Sequence, residues 1–383
     1  MKALCRIFSV IILVIIMAAC SPFGTDNLPA PSPLAKFTPS LQVKRLWLDD
    51  VGGIGEQYFN YTIAPNNDVI YTANKKGLLI ATRRTDDARL WRVFMDKTII
   101  GGPSYGNGLI VVSTDEGIVY AFDAKKGVEL WQQQLDNQVL GAATITKTSV
   151  LVKTVDDGVY ALDVKTGKTQ WSYVTDAPEM VLRGGSTPVV AGDKVLVGLA
   201  NGKLIALGLS DGVMLWQQQV TQPQGATDVQ RMVDITISPV VSGHVAYVAS
   251  YQGFIAAYNL DTGAALWHHK ISAYAGIAIA NNLLFITDAK GDVWAFDKKT
   301  GTVVWRQEKL EHRGLTAPVV MGRDIVIADA EGYLHWLNQK TGKFVARVQV
   351  AKESAIASTP LVVGNTVYAL AKNGTIAAYQ APA

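Results

Sequence analysis

The chain has 383 residues, 49 % hydrophobic and 17 % charged, with a formal net charge of +3. That balance contains no basic stripe of the kind nucleic-acid binders need. Its two cysteines, Cys5 and Cys20, are too few for a disulfide scaffold.

Residues 1–19 read as a secretory signal: Lys2 and Arg6 precede an apolar core from Ile7 to Met17, short for a membrane span. The segment ends Met17-Ala18-Ala19-Cys20, small residues directly before a cysteine. This resembles the bacterial lipoprotein box, which implies cleavage before Cys20 and lipidation of its thiol and amine. Ser21, rather than an aspartate, follows, and by the usual sorting pattern that implies the outer membrane. Loss of the signal would remove Cys5, Lys2 and Arg6, leaving no disulfide and a nearly neutral chain. Residues 20–42, with Pro22, Pro29, Pro31, Pro33 and Pro39, read as the lipidated cysteine and an extended tether.

From residue 43 to residue 383 one motif recurs. Its clearest copy is Ala161-Leu162-Asp163-Val164-Lys165-Thr166-Gly167-Lys168-Thr169-Gln170-Trp171: a strand end, a tight turn and a second strand. A degenerate first copy holds Ala81, Asp87 and Trp91. Fuller copies hold Ala121, Gly127 and Trp131; Ala206, Gly212 and Trp216; Ala257, Gly263 and Trp267; and Ala295, Gly301 and Trp305. Copy seven has Gly342 but exchanges large and small, with Trp336 in the alanine slot and Ala346 in the tryptophan slot. Copy eight stops after Ala378-Tyr379-Gln380. A turn glycine precedes each copy, from Gly77 to Gly374, at spacings of 38 to 51 residues. That is the period of a four-stranded propeller blade.

Each repeat also holds two further β-type runs, such as Pro188-Val189-Val190 and Lys194-Val195-Leu196-Val197-Gly198, and no window shows sustained helical periodicity. The expected fold is all-β: one eight-bladed β-propeller with four-stranded antiparallel blades. Blades sandwiched between neighbours bury both faces, which suits near-continuous apolar runs such as Leu109-Ile110-Val111-Val112. Copy eight lacks its outer strand, while Val43-Lys44-Arg45-Leu46-Trp47 stands alone near the start. Residues 43–48 are therefore expected to pair with residues 374–380 and close the ring.

Two connections are long: residues 176–185, including Met180, Leu182 and Arg183, and residues 217–230, followed by Arg231-Met232-Val233-Asp234. They belong to adjacent repeats and should lie side by side on one face, where function tends to sit. Little else suggests chemistry. His268 and His269 are consecutive on a strand and point to opposite faces. None of His244, His268, His269, His312 and His335 has metal-ligand spacing with a carboxylate or thiol. Asp156-Asp157 and Asp115-Glu116 read as turn residues before glycines, and Gly52-Gly53-Ile54-Gly55 lacks the Gly or Lys of a phosphate cradle. No catalytic set, cofactor site or metal site is expected.

The Ala-x-Asp-x-x-Thr-Gly-x-x-x-Trp motif resembles the tryptophan-docking repeat of pyrroloquinoline-quinone (PQQ) dehydrogenase-like propellers, a family with both enzymes and non-enzymes. A narrower resemblance rests on the lipoprotein signal, the single eight-repeat propeller, Leu182-Arg183-Gly184, Ser186-Thr187-Pro188 and Glu331-Gly332-Tyr333-Leu334-His335-Trp336. Together these look like the BamB family, lipoprotein subunits of the outer-membrane β-barrel assembly (Bam) machinery. The resemblance implies a non-enzymatic scaffold on the periplasmic face of the outer membrane. It would bind the POTRA region of BamA and assist insertion of β-barrel proteins. It carries over Met180, Leu182, Arg183, Arg231 and Asp234 as BamA contacts. Two departures stand out: Met180-Val181 where the family reads Leu-Ser, and Thr236 where it often has a second acid. The competing class is a quinoprotein dehydrogenase with PQQ and Ca²⁺, which as a family carries a cysteine pair absent here. A third reading has unfolded barrel clients adding strands to a sheet edge.

Overall fold

In the computed structural model the described residues are 29–55, 60–175, 180–182, 184–356 and 358–382. The signal, Cys20, residues 176–179 and Arg183 lie outside them. Residues 32–383 form one compact unit.

Within it, eight antiparallel sheets follow one another around a ring, giving the expected eight-bladed propeller. Blade 3 shows the plan: Thr144–Ile145, Ser149–Lys153, Val159–Asp163 and Thr169–Tyr173 pair in sequence order. First strands of several neighbouring blades lie against one another toward the axis. The middle strands are sandwiched, and Ser149–Lys153 and Leu109–Thr114 are buried at every position. Outer strands such as Met214–Gln219 instead alternate exposed and part-buried residues. Continuous apolar runs and alternating runs in the sequence thus mark depth within a blade. Blade 2 gains a short parallel strand, Asn60–Tyr61, beside Ile99–Gly106.

The recurrent tryptophan joins blades. In register it faces the motif alanine of its own blade, as Trp171 faces Ala161 and Trp216 faces Ala206. Its indole Nε1–H donates into the following blade, to the carbonyl three residues beyond that blade's alanine: Trp131 to Val164, Trp171 to Leu209, Trp267 to Lys298. The motif glycine serves the same joint. Gly167 has φ +73°, and a Cβ there would come within 2.5 Å of the Trp131 ring, so both turn and packing require glycine.

Closure follows the expectation and extends it. Lys44–Asp50 pairs antiparallel with Thr375–Gln380 as the outer strand of blade 8. Trp47 faces Ala378, and its Nε1–H donates to the Arg84 carbonyl of blade 1 at 2.8 Å. The first strand thus supplies the tryptophan that copy eight lacks.

Copy seven is the exception. Trp336 faces Ala346, is fully buried, and turns its Nε1–H to Met321 Sδ at 3.5 Å. The junction of blades 7 and 8 is filled instead by an apolar cluster including Trp336, Val367 and Tyr379, with Leu41 and Val43 packed against it. Within the span read as a tether, residues 32–42 lie along blade 7.

Candidate functional site

The two long connections flank blade 4, and the structure brings them together. The Leu182 N–H donates to Asp234 Oδ1 at 2.9 Å, and the Thr187 N–H to Ser238 Oγ at 2.8 Å. Gly184 lies so close to Thr236 that an added Cβ would come within 2.6 Å of its methyl carbon. The loops share one wall, and only a glycine at 184 lets them approach.

The second loop contains the one helix among the described residues, Asp228–Arg231. Thr227 caps it with Gln230 in a reciprocal capping box, a Thr-x-x-Gln signature present in the sequence. At four residues it is too short to show helical periodicity. Arg231 is exposed and pairs with Asp228 at 2.6 Å, and Gln252 Nε2 of blade 5 holds the Val229 carbonyl at 3.0 Å. Met180 and Val229 stand out from the loops, 47 % and 56 % exposed. Leu182 is half-buried.

Asp234 differs from the others in being buried, at 3 % exposure. Its Oδ1 holds Leu182, while its Oδ2 and the Thr236 hydroxyl have no hydrogen-bond partner among the described residues. Burial pushes its carboxyl up to about 6, against the smaller pull of the Leu182 N–H. Below the loops is a cavity of about 320 Å³ lined by Leu140, Lys153, Asp157, Leu182, Asp234 and Thr236, among others. On its floor Lys153 Nζ lies 2.7 Å from Asp157 Oδ1, both side chains buried, and Asp157 Oδ2 accepts the Ala200 N–H of blade 4. Asp157 does occupy a turn, at φ 63°, but also ties blade 3 to blade 4. The sequence signal missed was Lys153: a lysine closing an otherwise apolar, buried strand implies a buried counter-charge.

The arrangement offers a surface with apolar projections, an exposed ion pair and a buried acid beneath, suited to holding another chain. Among the described residues no three His, Cys, Asp or Glu side chains gather in a way that could hold a metal ion. Nor, among the described residues, is any helix long and apolar enough to cross a membrane. His268 and His269 pack on opposite faces, against Phe254 and Phe296.

Fold and motif define the chain as a tryptophan-docked propeller of the PQQ-repeat class. A family profile described as "Outer membrane protein assembly factor BamB" matches residues 75–307 and 306–382. The Legionella pneumophila protein of that name is 44 % identical over 355 residues, covering 92 % of each chain. The crystal structure of BamB from Moraxella catarrhalis superposes with a TM-score of 0.81 at 28 % identity, over 88 % of this chain and 100 % of that one. The chain belongs to the BamB family. Quinohemoprotein alcohol dehydrogenase from Comamonas testosteroni, at 12 % identity and TM-score 0.71 over 88 % of this chain and 76 % of that one, shares the fold alone. The family is one of assembly factors, and the chain is not an enzyme.

Proposed function

We propose that the chain is the scaffold lipoprotein of the Bam machinery. It is anchored through Cys20 at the periplasmic face of the outer membrane and binds the POTRA region of BamA through the two loops that flank blade 4. The observation that carries this reading is the Asp234–Leu182 bond, which fuses loops from successive connections into one surface. Met180, Leu182 and Arg183 supply the apolar anchor and forked donor that make a contact energetically central. Arg231, already paired with Asp228, contributes at the rim, where charges add little affinity. Asp234 acts from below, by fixing the backbone at Leu182. Thr236 leaves the site without the second acid, so the contact rests on the apolar residues and Arg183.

Affinity capture of the tagged full-length chain from detergent-solubilised membranes, beside Arg183→Glu, tests this. A BamA-type barrel protein captured by the natural chain and lost in the variant is the expected result. Capture by both would move the interface off the loops. Absence of any barrel protein, with a quinone absorbance on the purified chain, would return the reading to a quinoprotein.

A further inference from the structure

The Glu331–Trp336 motif plays no part in the loop site, yet it holds a buried charged cluster on blade 7. His335 is fully buried, with Nε2 at 2.8 Å from Asp329 Oδ2. Its Nδ1 accepts from Arg347 Nε at 3.0 Å. A guanidinium only donates, so Nδ1 carries a lone pair, the proton sits on Nε2, and the ring is neutral. Arg313 Nε donates to the same Asp329 oxygen at 2.7 Å, and the Glu331 and Tyr333 N–H groups occupy Oδ1.

Both arginines then reach outward to one segment. Arg313 Nη1 donates to the Ser32 carbonyl at 2.9 Å and Arg347 Nη1 to the Ala35 carbonyl at 3.0 Å. Arg347 also lies 5.1 Å from the rings of both Phe37 and Phe344, themselves stacked at 5.5 Å. The Ser40 and Leu41 N–H groups finish the contact on the Val345 carbonyl of the blade's outer strand.

We propose that residues 32–41 form a releasable strap on blade 7, clasped by the Arg347–His335 hydrogen bond and opened when His335 takes a second proton. That proton would have to sit on Nδ1, where Arg347 Nε–H now points. The bond is then lost, and an imidazolium faces a guanidinium at contact distance. Asp329 from the inter-strand turn, Arg313 from the loop entering the blade, Arg347 from the outer strand and Tyr333 from its own strand are the charged or titratable groups around the ring. One carboxylate stands against two guanidiniums. Burial first, and the arginines after it, hold His335 below its ordinary value of 6.5 in the clasped state. Release lifts the Arg347 constraint while the burial remains, so acidification favours the open strap, and neutral or alkaline pH leaves it shut.

Hydrogen exchange on the full chain tests this, read as protection factors so that the pH dependence of intrinsic exchange cancels. Protection of the Ser32 amide, which donates to the Glu311 carbonyl at 3.0 Å, and of the Ser40 and Leu41 amides is expected to fall on acidification, by up to about tenfold per pH unit. Amides of the buried strand Thr366–Leu370 should hold. His335→Gln, which keeps an acceptor for Arg347 but takes no proton, should leave the strap protected throughout. Arg347→Ala should leave it unprotected at neutral and acid pH alike. Constant protection in the natural chain from pH 7.5 to 4.5, an acid fall persisting in His335→Gln, or full protection in Arg347→Ala would each overturn the strap.

Discussion

Asp234 combines two roles that pull against each other. Its Oδ1 organises the Leu182 backbone, but its burial raises the carboxyl to about 6 from an ordinary 3.8. The folded chain therefore binds that proton more tightly than the unfolded one, and stability falls as pH rises from about 4 to 6. Asparagine keeps an oxygen for Leu182 and carries no charge. Calorimetric melting of Asp234→Asn should match the natural chain near pH 4 and exceed it at pH 7.5. Equal melting at both values would mean that the carboxylate is compensated when charged. Trp336 gives a simpler expectation. Fully buried opposite Ala346 and packed into the apolar cluster between blades 7 and 8, it would leave a large cavity on truncation, and Trp336→Ala should cost roughly 3–5 kcal/mol in denaturant unfolding. The large-for-small exchange was legible because six other copies show what each slot normally holds. The role of Lys153 and Asp157 was not, since an acid before a turn glycine is accounted for locally and its partner lies within a separate strand.

Among elements, the closing strand was readable from a deficit. Copy eight lacked a tryptophan and residues 43–48 carried a spare one. The structure pairs them and adds the bond from Trp47 to Arg84 that ties blade 8 to blade 1. Deleting residues up to Leu48 removes that bond and leaves Thr375–Gln380 as an open edge, so the melting temperature should drop sharply. An unchanged value would remove the closure from the account. The strap was not readable. Its proline-rich composition suits a tether equally well, and its anchors Arg313 and Arg347 lie 281 and 312 residues from the carbonyls they hold. Likewise the glycine of each motif read as a turn residue, when its second duty is to a tryptophan in the preceding blade. Contacts between repeats are invisible to a comparison of repeats with themselves.

At the scale of the whole molecule, the sheets alone leave eight separate blades, and the tryptophan-to-carbonyl joints and apolar clusters between blades make them one ring. The loop site depends on that rigidity, because its two loops are held by different blades and meet only if blade 4 keeps its place. The family's fold and repeat were thus written in the residues. Which side chain of the loop site faces outward and which supports from within was decided by burial, a property of the closed ring.

Closure also imposes an order in time. The strand carrying Trp47 leaves the ribosome among the first residues of the propeller, and its partner Thr375–Gln380 among the last. Until then Leu46 and Leu48, 39 % and 45 % exposed even in the finished ring, sit on an unpaired strand. A product cut short before Thr375 has no partner for that strand, so premature termination in the last blade leaves the ring unclosed just as loss of the first strand does. A nascent chain of this design advertises its own incompleteness at its leading end.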